Sequence, residues 1–309
     1  MESISSEISE IQEAVVLAKP AQNGLADKLS GYWELTKPRI AFMLVLTAAA
    51  GFYVAAPTAF SWTLFAHSMI GITLLAFGVA ALNQFWERKI DVLMERTAAR
   101  PLPSGRVTST EALVFGLTLS LGSIAYLGFF VNWLTAGLGI VVIVSYVLLY
   151  TPLKTRTPIC TAVGAIPGAM PPLMGWTSSA NEITLGALAL FGIIFFWQFP
   201  HFLAIATMYK EQYENAGIKM LPIVEEHGRQ TAFQIVLFAV LLLPVSIAPF
   251  FLGFAGIIYL IGALVFGVWF IYSSIVAARA KTIPAHRTLM LTSVLYLPAI
   301  FFLLVISAK

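Results

Sequence analysis

Apolar residues run along this chain in blocks of about twenty, each closed by a short polar or charged patch. A helix needs about 20 mostly apolar residues to cross the hydrocarbon core of a bilayer. Nine stretches qualify, near residues 39–57, 62–82, 110–131, 133–150, 158–177, 184–208, 231–252, 255–278 and 288–307. The third and fourth part only at Asn132-Trp133, the seventh and eighth only around Gly253. The pattern predicts an all-α, polytopic membrane protein: nine transmembrane helices forming one domain over 31–309, behind a polar tail at 1–30.

Composition agrees. Of 309 residues, 59% are hydrophobic and 11% charged, against about 25% charged in globular domains. A net charge of +3, with the basic residues dispersed, argues against nucleic acid as a partner. The lone Cys160 allows no intrachain disulfide and reads as an inert buried thiol.

If the nine helices alternate in direction, 17 of the 18 Lys and Arg residues fall on one face, leaving Lys309 alone on the other. The positive-inside rule makes the crowded face cytoplasmic. A missed or added helix would scatter these charges. Residues 1–30 carry Glu2, Glu7, Glu10, Glu13 and Asp27 and no arginine. That is unlike a secretory signal or a mitochondrial transit peptide, so the segment reads as a cytoplasmic tail, partly disordered or weakly helical. It favours a prokaryotic cell (inner) membrane over an organelle.

The chemistry concentrates in Asn83-Gln-Phe-Trp-Glu87-Arg-Lys-Ile-Asp91, followed by Arg96 and Arg100. Helix positions four apart drift by only about 40° and rise about 6 Å. Asn83, Glu87 and Asp91 therefore share a stripe of oxygen donors suited to a hard divalent cation. Guanidinium forks match phosphate oxygens. A surface salt-bridge cluster, with Arg88 or Lys89 as partners, is the competing reading.

Other cations sit at the same face. Lys154 and Arg156, in a proline-stiffened loop, either anchor the membrane edge or help hold a diphosphate, and so do Lys37 and Arg39 around Pro38. Arg279, Lys281, His286 and Arg287 have no acidic companion and read as surface anchors. A second polar loop, Lys210-Glu211-Gln-Tyr213-Glu214, lies four spans after the first. Two halves that each end their second helix in an acidic motif would aim both at one cavity.

Within the spans, Pro167, Pro171 and Pro172 predict that the fifth helix is not straight. His201 is costly in a hydrophobic segment: beside a porphyrin it could ligate iron or place the macrocycle, or it could bond a neighbouring helix. His67 reads as structural. Phe85, Trp86, Phe195, Phe196, Trp197, Phe199 and Phe202 offer faces that could steady an allylic cation.

Six segments in order carry a resemblance. They are Leu35-Thr-Lys-Pro-Arg39, the Asn83–Asp91 block running into Met94-Glu-Arg-Thr-Ala-Ala-Arg-Pro-Leu102, and Tyr150-Thr-Pro-Leu-Lys154. Gly168-Ala-Met-Pro-Pro-Leu-Met-Gly-Trp176, Trp197-Gln-Phe-Pro-His-Phe202 and Ala216-Gly-Ile-Lys-Met-Leu-Pro222 complete the set. Over residues 32–309 the chain resembles the UbiA superfamily of intramembrane prenyltransferases, and within it the haem-farnesylating branch.

The resemblance implies a nine-helix UbiA-like bundle whose active site opens to the cytoplasm, with farnesyl diphosphate, haem b and the lipid bilayer as partners. It implies Mg²⁺-assisted ionisation of farnesyl diphosphate and capture of C1 by a haem vinyl group. Addition of water then gives haem O, for which a haem A synthase or an oxidase-assembly factor would be the receiving partner. By the same resemblance Asn83, Glu87 and Asp91 are catalytic metal ligands, and Arg96 and Arg100 hold the diphosphate. Lys154, Lys210, Tyr213, Glu211 and Glu214 complete the polar cap, the two glutamates as further candidate metal ligands. Glu87 stands where the family's first motif usually carries Asp, and the second loop differs from the aspartate-rich motif of quinone-type relatives. Prenylation of a quinone precursor, or transport, are the rival readings. Transport fits poorly, because transporters place ionisable groups near the midplane and here they gather at one face.

Overall fold

The computed structural model describes residues 24–56 and 60–309. Ten helices of eleven or more residues build it. In chain order these are α1 (Leu25–Leu35), α2 (Pro38–Ala55), α3 (Trp62–Asp91), α4 (Ser109–Phe130) and α5 (Trp133–Leu153). After them come α6 (Cys160–Ala180), α7 (Leu185–Met208), α8 (Arg229–Phe251), α9 (Ile257–Ala280) and α10 (Ile283–Ile306). Among the described residues the structure is otherwise short helices and loops, with an isolated bridge between Ala255 and Ala308.

The expected spans recur with small boundary shifts. Eight helices, α2–α5 and α7–α10, are long and apolar enough to cross a membrane, so the chain is a multi-pass membrane protein. The helix at the expected fifth span, α6, falls short of that apolarity. It is buried along most of its length, packed against α2, α5 and α7, and has little need of lipid-facing side chains. One end meets the turn between α4 and α5, where Asn132 Nδ2 donates to Thr177 O at 2.8 Å. The other carries Cys160, buried with Met94 and Tyr213 from the charged loops.

The prolines do not interrupt α6, which runs as one helix with Pro167, Pro171 and Pro172 inside it. Proline is tolerated in membrane helices that are buried in protein, and α2 packs closely along α6. A Cβ added to Gly51 would lie 2.2 Å from Pro172 O, and one added to Gly175 would lie 1.9 Å from Ala48 O. Small residues on both helices let the two backbones touch.

The expectation for the tail at residues 1–23 lies outside the described residues, and helix α1 begins inside the stretch read as tail. His286 departs from the surface-anchor reading. Helix α10 starts at Ile283, with Pro284 in its first turn, and its direction puts His286 inside at 3% exposure. His67 is a packing residue, bonded to the Tyr126 hydroxyl and stacked on Phe130.

Candidate active site

Helix α3 continues past its apolar stretch as far as Asp91, and this extension builds the site. Asn83, Glu87 and Asp91 lie on successive turns with exposures of 1%, 5% and 0%. Buried charge is costly unless paired, and each group has a partner. Lys154 Nζ donates to Glu87 Oε1 at 2.7 Å. Arg100 Nη1 donates to both Asp91 oxygens, at 2.7 and 2.8 Å, and lies 3.9 Å from Glu87 Oε2. Lys37 Nζ donates to Asn83 Oδ1 at 2.8 Å, and Asn83 Nδ2 donates to Thr151 Oγ1 at 3.3 Å. Three cations face two carboxylates, leaving positive charge in excess at this end of the bundle. The partners are not the adjacent Arg88 and Lys89 of the salt-bridge reading; Arg100 comes from the loop that follows α3, and Lys37 and Lys154 from distant segments.

Each cation is delivered by a local irregularity. Lys37 sits in the left-handed region, φ 49°, immediately before Pro38 opens α2. A non-glycine residue there is uncommon and strained, and its bond to Asn83 helps hold it. Lys154 follows a π-helical segment, Val144–Tyr150, at the end of α5. There Pro152 lacks the amide an α-helix would use, and the Thr151 amide and hydroxyl both reach Tyr146 O, five residues back. π-bulges often mark functional sites; this one carries the cavity-lining Tyr146 and Tyr150 and leads into Lys154. Arg100 turns back toward α3 after Thr97 Oγ1 caps it at Asp91 O, 2.8 Å.

Burial lowers the Lys37 ammonium to about 8, with Arg100 adding to the shift, so it stays charged at neutral pH. Burial also opposes the charge on Lys154, but the Glu87 carboxylate overrides it and holds that ammonium well above the ordinary lysine value.

Against this cluster lies a cavity of about 380 Å³ between α2, α3, α5, α6 and α7. That size is within the range of small-molecule sites, about 300–1,000 Å³. Its wall is mainly apolar, from Ile72, Leu75, Val79, Met170 and Met174 among others, with Lys37 at the charged end and Trp197, Gln198 and His201 on α7. Lys37 is the joint: it lines the cavity and bonds Asn83.

The structure thus brings together Lys37, Asn83, Glu87, Asp91, Arg100 and Lys154. Arg96 stands beside them in sequence but meets the second loop, its Nη2 3.5 Å from Tyr213 Oη and its guanidinium over the Tyr209 ring. Of that loop Tyr213 is buried, at 9% exposure, against Met94 and Cys160. Glu211 and Glu214, three apart, share the opposite face of the short helix Lys210–Asn215 and are exposed. The two acidic motifs therefore do not pool their carboxylates. Arg39 and Arg156 are exposed too. Lys210 lines a separate polar pocket with Glu225, Lys281 and His286.

His201 lines the apolar cavity and bonds Ser293 of α10. Of the seven aromatics singled out, Trp197 and Phe202 line it. Phe199 stacks on Phe238, Phe195 and Phe196 pack against the core, and Trp86 is exposed, because helical periodicity spreads adjacent residues around the axis. Tyr146, Tyr150 and Thr161 were not singled out as wall residues; Pro152 was the available signal for the first two.

Among the described residues no three His, Cys, Asp or Glu side chains converge as a metal site. Mg²⁺ does not need such a cage: it keeps several waters and takes one or two carboxylates plus substrate phosphates. Two buried carboxylates and an amide oxygen on one stripe fit that requirement.

The UbiA prenyltransferase family model matches residues 44–305, and the chain belongs to that family. A protoheme IX farnesyltransferase of Solibacter usitatus (strain Ellin6076) is 47% identical over 285 residues, covering 89% of this chain and 98% of its own. One from Koribacter versatilis (strain Ellin345) is 44% identical over 311 residues, covering 97% and 99%. Among solved structures, that of a digeranylgeranylglyceryl phosphate synthase superposes with a TM-score of 0.78 at 17% identity, covering 91% of this chain and 98% of the other. A UbiA homolog from Archaeoglobus fulgidus bound to DMAPP and Mg²⁺ superposes at 0.61 and 15% identity, covering 89% and 98%. At such identities these two speak to the fold alone.

Proposed function

We propose that this chain transfers a farnesyl group from farnesyl diphosphate to a vinyl group of haem b, with water added, giving haem O and diphosphate. The observation that carries the reading is the joint at Lys37, where an apolar cavity able to take a prenyl tail meets a buried, net-positive cluster able to take its headgroup. The high identity to bacterial protoheme IX farnesyltransferases over most of the chain supports haem as the acceptor.

In this reading Asn83, Glu87 and Asp91 hold Mg²⁺, while Lys37, Arg100 and Lys154 turn to the diphosphate oxygens. Mg²⁺, when bound, supplies Lewis-acid stabilisation of the leaving group. Once they have turned on binding, the three cations need not move again as the C1–O bond breaks, so they stabilise developing negative charge without further reorganisation. The C1–O bond breaks with its electron pair going to diphosphate. C1 then joins the terminal vinyl carbon, and the cation left on the other vinyl carbon takes water and loses a proton. The apolar wall keeps bulk water from the allylic cation before transfer, and Tyr146, Tyr150 and Trp197 offer it ring faces.

Helix α6 counts as the ninth crossing, which keeps every loop that carries Lys or Arg on one side, the cytoplasmic face of a bacterial cell membrane. Release there suits hand-off to a haem A synthase or an oxidase-assembly factor. The test is to incubate purified protein with haem b, farnesyl diphosphate and Mg²⁺ and analyse the pigment by mass spectrometry, with 4-hydroxybenzoate as the competing acceptor. Haem O is the expected product; prenylated benzoate with unchanged haem would overturn the assignment.

A further inference from the structure

Trp197, His201 and Ser293 form a unit on the cavity wall that the diphosphate chemistry leaves unused. His201 Nδ1 and Ser293 Oγ are 2.6 Å apart, a distance that by itself permits either to be the donor. Ser293 Oγ also lies 2.5 Å from Met290 O, one turn earlier on α10. A carbonyl oxygen only accepts, so the hydroxyl hydrogen lies on that side. Ser293 must then accept from His201, Nδ1 carries the ring hydrogen, and Nε2 keeps a lone pair.

The same residue fixes the ring's plane. Trp197 stacks on His201 with centroids 4.7 Å apart and planes 17° apart, and its Nε1 donates to Ser293 O at 2.8 Å. Two rings one turn apart on α7 are both tied to one residue of α10. With Nδ1 turned to α10, the free Nε2 edge is what His201 offers to the cavity it lines. Its bonded partner is a hydroxyl rather than a carboxylate, so nothing there favours an imidazolium.

We propose that Ser293 is a positioning residue that holds His201 in the Nδ1–H tautomer and so presents Nε2 as an axial ligand to the iron of a metalloporphyrin in the cavity. This rests on the haem reading above and deepens it. Ligating histidines almost always donate their second N–H to a fixed acceptor, and that acceptor sets ring orientation and basicity. Iron ligation from α7 would fix the macrocycle's plane relative to Lys37 at the cavity's charged end, turning an encounter of two lipid-soluble substrates into a held geometry.

The experiment uses the full chain in detergent, loaded with ferric haem b without farnesyl diphosphate and read by optical and EPR spectroscopy. The variants are Ser293→Ala, Ser293→Thr and His201→Ala, with farnesyl diphosphate binding as the folding control. Wild type and Ser293→Thr should share a histidine-ligated spectrum. Ser293→Ala should bind haem about tenfold more weakly, the usual scale for losing such a partner, with part of that spectrum lost. His201→Ala should lose the spectrum and regain it on adding imidazole. A His201→Ala spectrum equal to wild type, or Ser293→Ala matching wild type in both spectrum and affinity, overturns the proposal. If wild type makes haem O yet shows no histidine signature, this inference falls and the farnesylation reading stands. If it neither binds nor converts haem but prenylates 4-hydroxybenzoate, that reading falls first.

Discussion

Replacing Asp91 by Asn keeps the side chain's shape and removes its charge, leaving Arg100 with a weaker partner. Asp91's side chain is 1% exposed and Arg100's 20%. Breaking a fully buried pair from one side costs about 3–5 kcal/mol, and Arg100's residual exposure puts this case near the lower end, at about 3 kcal/mol. Denaturant unfolding in detergent should show that loss, and adding Arg100→Gln should recover most of it, because the uncompensated charge is then gone. Turnover should behave differently. If Asp91 holds Mg²⁺, Asp91→Asn should lose at least about a hundredfold in haem O formed per folded molecule, close to 2.7 kcal/mol of barrier, and should need far more Mg²⁺ for what remains. If Asp91 were only a counter-ion to Arg100, turnover would fall no further than the folded fraction. Asp91→Asn working within threefold of wild type per folded molecule, with unchanged Mg²⁺ demand, would refute the metal assignment.

Other tests address other parts of the molecule. Gly175→Ala sets a methyl group 1.9 Å from Ala48 O, so α2 and α6 must part; unfolding measurements should show a loss of about 1–3 kcal/mol, the usual cost of overpacking. Chelating divalent metal with EDTA should stop haem O formation while leaving the optical spectrum of bound haem unchanged. Burial opposes the charge on Glu225, but the Gln230 and Thr231 amides outweigh it and hold the carboxyl below its ordinary 4.5. Its capping of α8 is therefore fully present above pH 4.5 and lost as pH falls through the lowered native value. The unfolding midpoint should drop on acidification there, and Glu225→Gln should flatten that part of the profile.

Much of this was legible in the chain. Hydropathy located the long helices, eight of them apolar enough to cross a membrane, because lipid demands about twenty apolar residues per crossing whatever the neighbours are. It missed the extension of α3 from Leu82 to Asp91. The four-residue spacing of Asn83, Glu87 and Asp91 placed three donors on one face for an equally local reason. Position in a charged loop was a poorer guide. Lys154 and Arg156 looked alike, yet one pairs with Glu87 and the other is exposed; His286 looked like an anchor and is buried. Glu211 and Glu214 looked like a second acidic motif, yet their short helix buries Tyr213 instead.

What the linear chain determined by itself is whatever depends on a residue's own chemistry and its near neighbours: helix length, the side on which charge collects, and the stripe on α3. The tertiary structure alone decided that Lys37 and Lys154 reach that stripe and that His201 meets Ser293. Those depend on contacts between residues 46 to 92 positions apart. Contacts of that span are set by how helices cross and by the touching backbones of α2 and α6, which no local pattern encodes.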